Sequence, residues 1–153
     1  YIVGGDQVSY SKLKKKLLPQ NIILLGYKNY KETKFFMREM DILLCPYQKK
    51  VYLKDQKTST SSIMSPLKIF EYMATKKTII CSNLNVLREV LKNNINCLLA
   101  NPSNTQEWVN LINKINRDLK LRRSLSVKAY LSFKNKYSWD IRIAKLLKKY
   151  TNE

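Results

Sequence analysis

Five short apolar runs, each separated from the next by a helix-patterned segment, constrain this chain more than any other feature. Tyr1–Val3, Ile22–Leu25, Ile42–Cys45, Thr78–Cys81 and Cys97–Leu99 are three or four residues long, nearly all apolar and without polar alternation. That is the pattern of strands covered on both faces. Tyr10–Leu18, Lys31–Met40, Pro66–Ala74 and Asn85–Leu91 carry helical spacing and lie between the runs. Strands that alternate with helices require right-handed crossovers, so the expected class is α/β, a doubly wound parallel sheet of about five strands. After Asn101-Pro102 the apolar runs stop. Thr105–Arg117, Leu119–Lys136 and Ser138–Tyr150 read as C-terminal helices, and in the last of them Ile143, Ala144, Leu147 and Tyr150 form one apolar stripe suited to docking.

At 153 residues the chain is long enough for one domain with a real core, expected over residues 1–150. The opening Tyr1-Ile2-Val3-Gly4-Gly5 reads as the inside of a fold, so the chain is expected to be part of something larger. No run of about 18 apolar residues occurs, which excludes a membrane-spanning helix within the sequence. No histidine occurs, which excludes a Ser-His-Asp triad, a Cys-His pair and histidine metal sites built from this chain. Cys45, Cys81 and Cys97 match no metal spacing and each falls in an apolar run, so they are expected to be buried, reduced thiols in a cytoplasmic protein. Asp6, Asp41 and Asp55 form no metal spacing either, and no metal is expected.

The charge is strongly positive: 29 basic against 11 acidic residues give +18. Between Lys114 and Lys149 twelve Lys or Arg face only Asp118 and Asp140. A solvated basic surface accounts for this, and so does a docking face for an anionic partner such as nucleic acid, a nucleotide or an acidic membrane.

The segment from Pro46 to Ser65 is polar and contains Thr58-Ser59-Thr60-Ser61-Ser62. A long connection at the C-terminal end of a strand in an open α/β sheet lies where ligands bind. It leads into Ser65-Pro66-Leu67-Lys68-Ile69-Phe70-Glu71-Tyr72-Met73-Ala74. Ser65 suits an N-cap and Pro66 the first helical position. At about 100° per residue Leu67, Ile69, Phe70, Met73 and Ala74 share an apolar face, and Lys68, Glu71 and Tyr72 the opposite one. A helix start beside Ser65 and Lys68 suits a phosphate, and Glu71, about a turn on, can accept from paired hydroxyls such as those of a ribose. A plain surface helix with a Lys68–Glu71 ion pair would have the same spacing. Neither a G-x-G-x-x-G sequence nor a P-loop is present, and Gly26 reads as a lone turn glycine.

The stretch from Ser65 to Ala74, followed by Thr78-Ile79-Ile80-Cys81-Ser82-Asn83-Leu84-Asn85-Val86-Leu87-Arg88-Glu89-Val90-Leu91, resembles the group 1 glycosyltransferases of the GT-B fold, glycosyltransferase family four. Ile2-Val3-Gly4-Gly5, Ile22–Tyr27, Met40–Tyr47 and Tyr137-Ser138-Trp139 agree with it in order, so the resemblance runs from Tyr1 to about Tyr150. It implies the Rossmann-like, donor-binding C-terminal half of a two-domain enzyme. Such an enzyme binds a nucleotide-diphosphate sugar between its halves and passes the sugar to an acceptor hydroxyl with retention. No essential metal or other cofactor is implied. Of the family's two motif glutamates, the one that holds the ribose maps onto Glu71, and the other onto Ile63, so it is absent. The resemblance puts the diphosphate contacts at Ser65 and Lys68, with Pro66 and Leu67 between them among the donor-binding residues, and the base against Gly26 and Tyr27, mostly through backbone. Lys76 and Thr78 stand where the family has a glycine and a proline, which makes that turn atypical. The family's Arg/Lys pair and its acceptor-binding N-terminal half fall outside the sequence, so no catalytic residue is assigned and the chain alone is expected to be inactive.

The implied partners are the nucleotide-sugar donor, a sugar or lipid-linked acceptor and the N-terminal GT-B domain. The implied setting is polysaccharide, cell-surface glycan or glycolipid synthesis, in the cytoplasm or peripherally at the inner face of an anionic cytoplasmic membrane. A second reading is a non-catalytic basic α/β module that binds nucleic acid or anionic lipid. Such a module needs a continuous basic stripe with interleaved aromatics, and no nucleic-acid motif is present. A third is a related GT-B enzyme such as a sugar-nucleotide epimerase.

Overall fold

The computed structural model describes residues 1–15, 18–48 and 67–151. They form two compact units, Tyr1–Glu39 and Met40–Glu153. All five expected strands are present, every pairing is parallel, and helices alternate with them.

In the first unit β1 (Ile2–Val3) pairs with β2 (Leu24–Gly26), and α1 (Gln7–Lys14) connects them. Helix α1 starts earlier than the apolar spacing suggests, because the Tyr10 amide already donates to the Asp6 carbonyl at 2.9 Å. Helix α2 (Tyr30–Glu39) opens with a reciprocal cap. The Glu32 amide donates to Asn29 Oδ1, and the Asn29 amide to Glu32 Oε2, both at 3.0 Å. Glu32 also pairs with Lys28 at 3.7 Å.

In the second unit β3 (Ile42–Cys45), β4 (Thr78–Ser82) and β5 (Leu98–Ala100) form a sheet with β4 in the middle. Ile42 lies opposite Thr78 and Cys45 opposite Cys81, while Cys81 in turn lies opposite Leu99. All five residues of β4 are buried, as the unbroken apolar pattern requires. Alternate residues feed two separate cores. On one face Cys45, Ile79, Cys81, Cys97 and Leu99 pack with Ile69 and Met73 of α3 (Leu67–Ala74). On the other, Ile80 and Leu98 pack with Ile115 of α4 (Thr105–Arg117) and Leu125 of α5 (Leu119–Ser132). Helix α5 reaches both, because Ala129, one turn beyond Leu125, joins the first core. All three cysteines are buried and free, as their positions in apolar runs suggest.

Three local expectations are corrected. The buried face of α3 centres on Ile69 and Met73, so Leu67 is 69% exposed and Ala74 is exposed, while Tyr72 packs against the core. The i,i+4 pair Ile69/Met73 sets the phase, and at about 100° per residue Leu67 then points away from it. The segment Asn85–Leu91 is not an α-helix. Asn85–Glu89 forms a 3₁₀ stretch, closed where the Val90 and Leu91 amides both donate to the Leu87 carbonyl and pinned by buried Leu87 and Leu91. The helix expected to run to Lys136 ends at Ser132. Phe133–Tyr137 widens into a π turn, closed by the Ser138 amide donating to the Phe133 carbonyl at 3.0 Å, before α6 (Trp139–Thr151) begins. That turn sets the Tyr137 ring 5.1 Å from the Phe70 ring of α3. The apolar stripe of α6 stays half or more exposed at Ile143, Leu147 and Tyr150. No described helix is long and apolar enough to cross a membrane.

Candidate functional site

The C-terminal ends of β3 and β4 are fixed by their own polar groups. Just past the Cys45–Cys81 register pair the Ser82 hydroxyl donates to the Tyr47 carbonyl at 2.6 Å, and the Tyr47 amide donates to the Cys45 carbonyl at 2.9 Å. The Asn83 amide donates to the Ala100 carbonyl at 2.7 Å, and Arg88 Nε donates to Asn83 Oδ1, also at 2.7 Å. Parallel strands all end on this edge, the position where open α/β sheets take ligands.

Helix α3 packs on one face of this sheet, with Lys68 close enough to Cys45, the last residue of β3, for its charge to act on the thiol. Ile69 and Met73 anchor it in the core, which leaves Lys68 and Glu71 exposed together on its outer side at the i,i+3 spacing. Among the described residues no ion pair joins Lys68 to Glu71, and neither has another charged partner. The pair therefore offers a cation and a carboxylate, three residues apart, to a third party. The first-turn amides of α3 have no acceptor within the helix and add partial positive charge beside Lys68.

The buried side of the site is lined by thiols and phenol hydroxyls. Cys45 sits under Lys68, and its thiol is pulled below the usual value chiefly by the Cys81 thiol donating to it. Burial opposes this, while the Lys68 charge and the Tyr72 hydroxyl add to it. The same hydrogen bond, followed by burial, pushes Cys81 up. Burial raises the Cys97 thiol and the Tyr47 hydroxyl, each to about 12, and the Tyr72 hydroxyl well above its usual range. The raised groups, Cys81, Cys97, Tyr47 and Tyr72, stay protonated near neutrality. The arrangement can hold an anion at Lys68 and accept hydrogen bonds from hydroxyls at Glu71.

Of the residues singled out from the sequence, Leu67, Lys68 and Glu71 share the first turn and a half of α3. Ser65 and Pro66 lie outside the described residues. Gly26 and Tyr27 are adjacent in the first unit. Gly26 is the last residue of β2 rather than the first of the loop, and its φ of 66° is one that L side chains rarely adopt. A Cβ there would lie 3.3 Å from the Tyr10 ring. The Tyr27 side chain is 81% exposed. The Ser82–Tyr47 tie and the polar contacts among Cys45, Cys81 and Tyr72 had no signal in the sequence beyond the apolar runs that hold them. Lys76 keeps the left-handed backbone of the glycine it stands in for, with φ 57°.

The family model for glycosyl transferases group 1 matches residues 1–132. No curated protein matches the chain in sequence. Among solved structures, HepE of Anabaena in complex with UDP-glucose is similar at 20% identity and TM-score 0.70, over 96% of this chain and 40% of that one. Sucrose-phosphate synthase of Thermosynechococcus elongatus is similar at 15% identity and TM-score 0.72, over 98% of this chain and 38% of that one. The C-terminal domain of LpcC of Francisella tularensis, a glycosyl transferase group 1 family protein, is similar at 22% identity and TM-score 0.63, over 84% of this chain and 60% of that one. The chain thus spans about two fifths of the length of HepE and of the synthase.

Proposed function

The chain belongs to the glycosyl transferases group 1 family, and on that premise we propose that it is the donor-binding part of a retaining glycosyltransferase. The observation that carries the reading is the exposed, mutually unpaired Lys68 and Glu71 on a helix packed on one face of the sheet, with Lys68 near the C-terminal end of β3. Lys68 faces the diphosphate of a nucleotide sugar, together with Leu67 at the start of α3. Ser65 and Pro66 join them on the sequence resemblance alone. Glu71 accepts hydrogen bonds from the ribose hydroxyls. Gly26 and Tyr27 keep the role the resemblance implies, backbone contact with the base. The UDP-glucose bound by HepE, a protein of similar fold, supports a nucleotide-sugar ligand.

In the proposed reaction the bond between the sugar's anomeric carbon and the diphosphate oxygen breaks, one to the acceptor oxygen forms on the same face, and the acceptor hydroxyl's proton passes to the departing diphosphate. Negative charge grows on the departing diphosphate, and a fixed cation contributes to rate in proportion to that growth. Lys68 and the helix start supply this charge, and no metal or other cofactor is required. The acceptor is a sugar or a lipid-linked sugar bound by a further N-terminal domain, in glycan or glycolipid synthesis on the cytoplasmic side of a membrane. Residues 1–153 alone bind the donor weakly and transfer nothing.

The test is titration of the protein and of Lys68→Ala with a nucleoside, its monophosphate and its diphosphate at two salt concentrations. The variant is expected to lose affinity for the diphosphate and to keep it for the nucleoside. A uniform loss for all anions that fades with salt would assign Lys68 to general surface charge and overturn the phosphate role.

A further inference from the structure

At the opposite edge of the second unit, where β3 and β4 begin, lies a cavity of about 320 Å³ whose lining includes Asp41, Lys76, Lys77, Thr78, Arg122 and Arg123. Lys76 and Lys77 immediately precede β4, Asp41 immediately precedes β3, and the two arginines lie in the first turns of α5. The length of β4, about 3.3 Å per residue, separates this edge from the C-terminal strand ends near which Lys68 lies. The cavity belongs to no part of the proposed donor site.

Four cations line this cavity against one carboxylate. Asp41 is engaged by Arg122 at 3.4 Å, and among the described residues Lys76, Lys77 and Arg123 have no carboxylate partner. The wall is rigid where it matters. The Thr78 hydroxyl donates to the Arg122 carbonyl at 2.8 Å, which ties the start of β4 to the start of α5, and within α5 the Ser126 hydroxyl donates to the Arg123 carbonyl at 2.9 Å. Lys76 is held too, with its ammonium 4.4 Å above the Tyr130 ring and its backbone in a left-handed conformation that a glycine would adopt at less cost. Beside the Arg122–Asp41 pair, three cations without a carboxylate partner among the described residues leave the cavity net positive, a charge that a bound anion neutralises. Arginine forks and lysine ammonium groups together match the oxygens of a phosphate. The volume lies at the small end of the ligand-pocket range, which suits a small phosphorylated group.

We propose that this cavity is a second anion site, which takes a phosphate group either free on a small molecule or on a lipid headgroup. The proposal does not depend on the donor site.

The experiment follows backbone amide resonances of the whole chain during titration with inorganic pyrophosphate. Lys77, Thr78 and Arg123 report this cavity, and Lys68 and Ile69 report the donor site separately. Pyrophosphate is expected to shift the first set and to bind there at least tenfold more weakly in Lys77→Gln/Arg123→Gln. The charge-matched Lys114→Gln/Lys134→Gln should keep the affinity. Lys76→Gly, which retains the left-handed backbone, repeats the measurement should the double variant fold poorly. A second arm compares vesicles of phosphatidylglycerol with vesicles of phosphatidylcholine. Retention on the first alone, lost in the cavity variant, identifies a headgroup, whereas pyrophosphate binding without vesicle binding identifies a free phosphate. Unshifted cavity amides, or equal losses in the cavity and control variants, overturn the proposal.

Discussion

Thr78 and Arg122, 44 residues apart, are joined by a single hydrogen bond of 2.8 Å from a side-chain hydroxyl to a backbone carbonyl. Thr78 is 1% exposed, so its hydroxyl must find a partner inside the protein, and the first turns of α5 provide it. Thr78→Val keeps the shape and removes the donor. It is expected to cost about 0.5–1.5 kcal/mol, read as a lower urea midpoint with an unchanged slope.

Glu71→Ala separates binding from folding. The side chain is exposed and has no charged partner among the described residues, so its loss leaves no hole in the core. Donor affinity is expected to fall by about 1.5–3 kcal/mol, the worth of a charged hydrogen bond, while the urea midpoint stays within experimental scatter. Calorimetric titration with a nucleoside diphosphate measures the first and denaturation the second. Unchanged affinity would remove Glu71 from the ribose.

Gly26→Ala strains the first unit twice, through its φ of 66° and through a new Cβ 3.3 Å from the Tyr10 ring. The expected loss is about 1–3 kcal/mol. Exchange of the Gly4 amide, which donates to the Gly26 carbonyl at 2.8 Å, should accelerate, with little change at β4.

Stability should fall in alkali. Burial raises Cys97 from 9.0 to about 12, so between these values the unfolded chain releases a proton that the native chain retains. The native advantage is complete below pH 9.0 and is lost as pH rises toward about 12. Tyr47, raised from 10.0 to about 12 by burial, works in the same direction. Urea midpoints measured at intervals from pH 8 upward should decline, and less steeply in Cys97→Ala. A flat profile in the unsubstituted protein would contradict the burial of these groups.

Strands β4 and β5 were legible because they are covered on both faces, and a strand of that kind has little choice but to be uniformly apolar; β3 is as apolar, although its Leu44 is exposed. The helix that carries the site was legible for a different reason. Lys68 and Glu71 interrupt an otherwise apolar segment at a spacing that must put them on one side. The phase of its buried face was not legible, because Leu67 and Tyr72 both carry large apolar surface and only the position of the sheet decides which of them turns inward. The cationic cavity was hidden as well. Lys76-Lys77 and Arg122-Arg123 are visible as doublets, yet nothing local indicates that the start of β4 meets the start of α5. That meeting depends on Thr78 and Arg122, a contact far apart in the chain.

Helix α5 places Leu125 in one core and Ala129, a turn later, in the other. The two faces of a sheet can open separately where each is covered by its own helix. Here the same rod closes both layers, so neither can open by itself. The second unit has no inexpensive half-open state, and the deepest amides of β4 and those of α5 should exchange with one shared free energy, that of unfolding the whole unit.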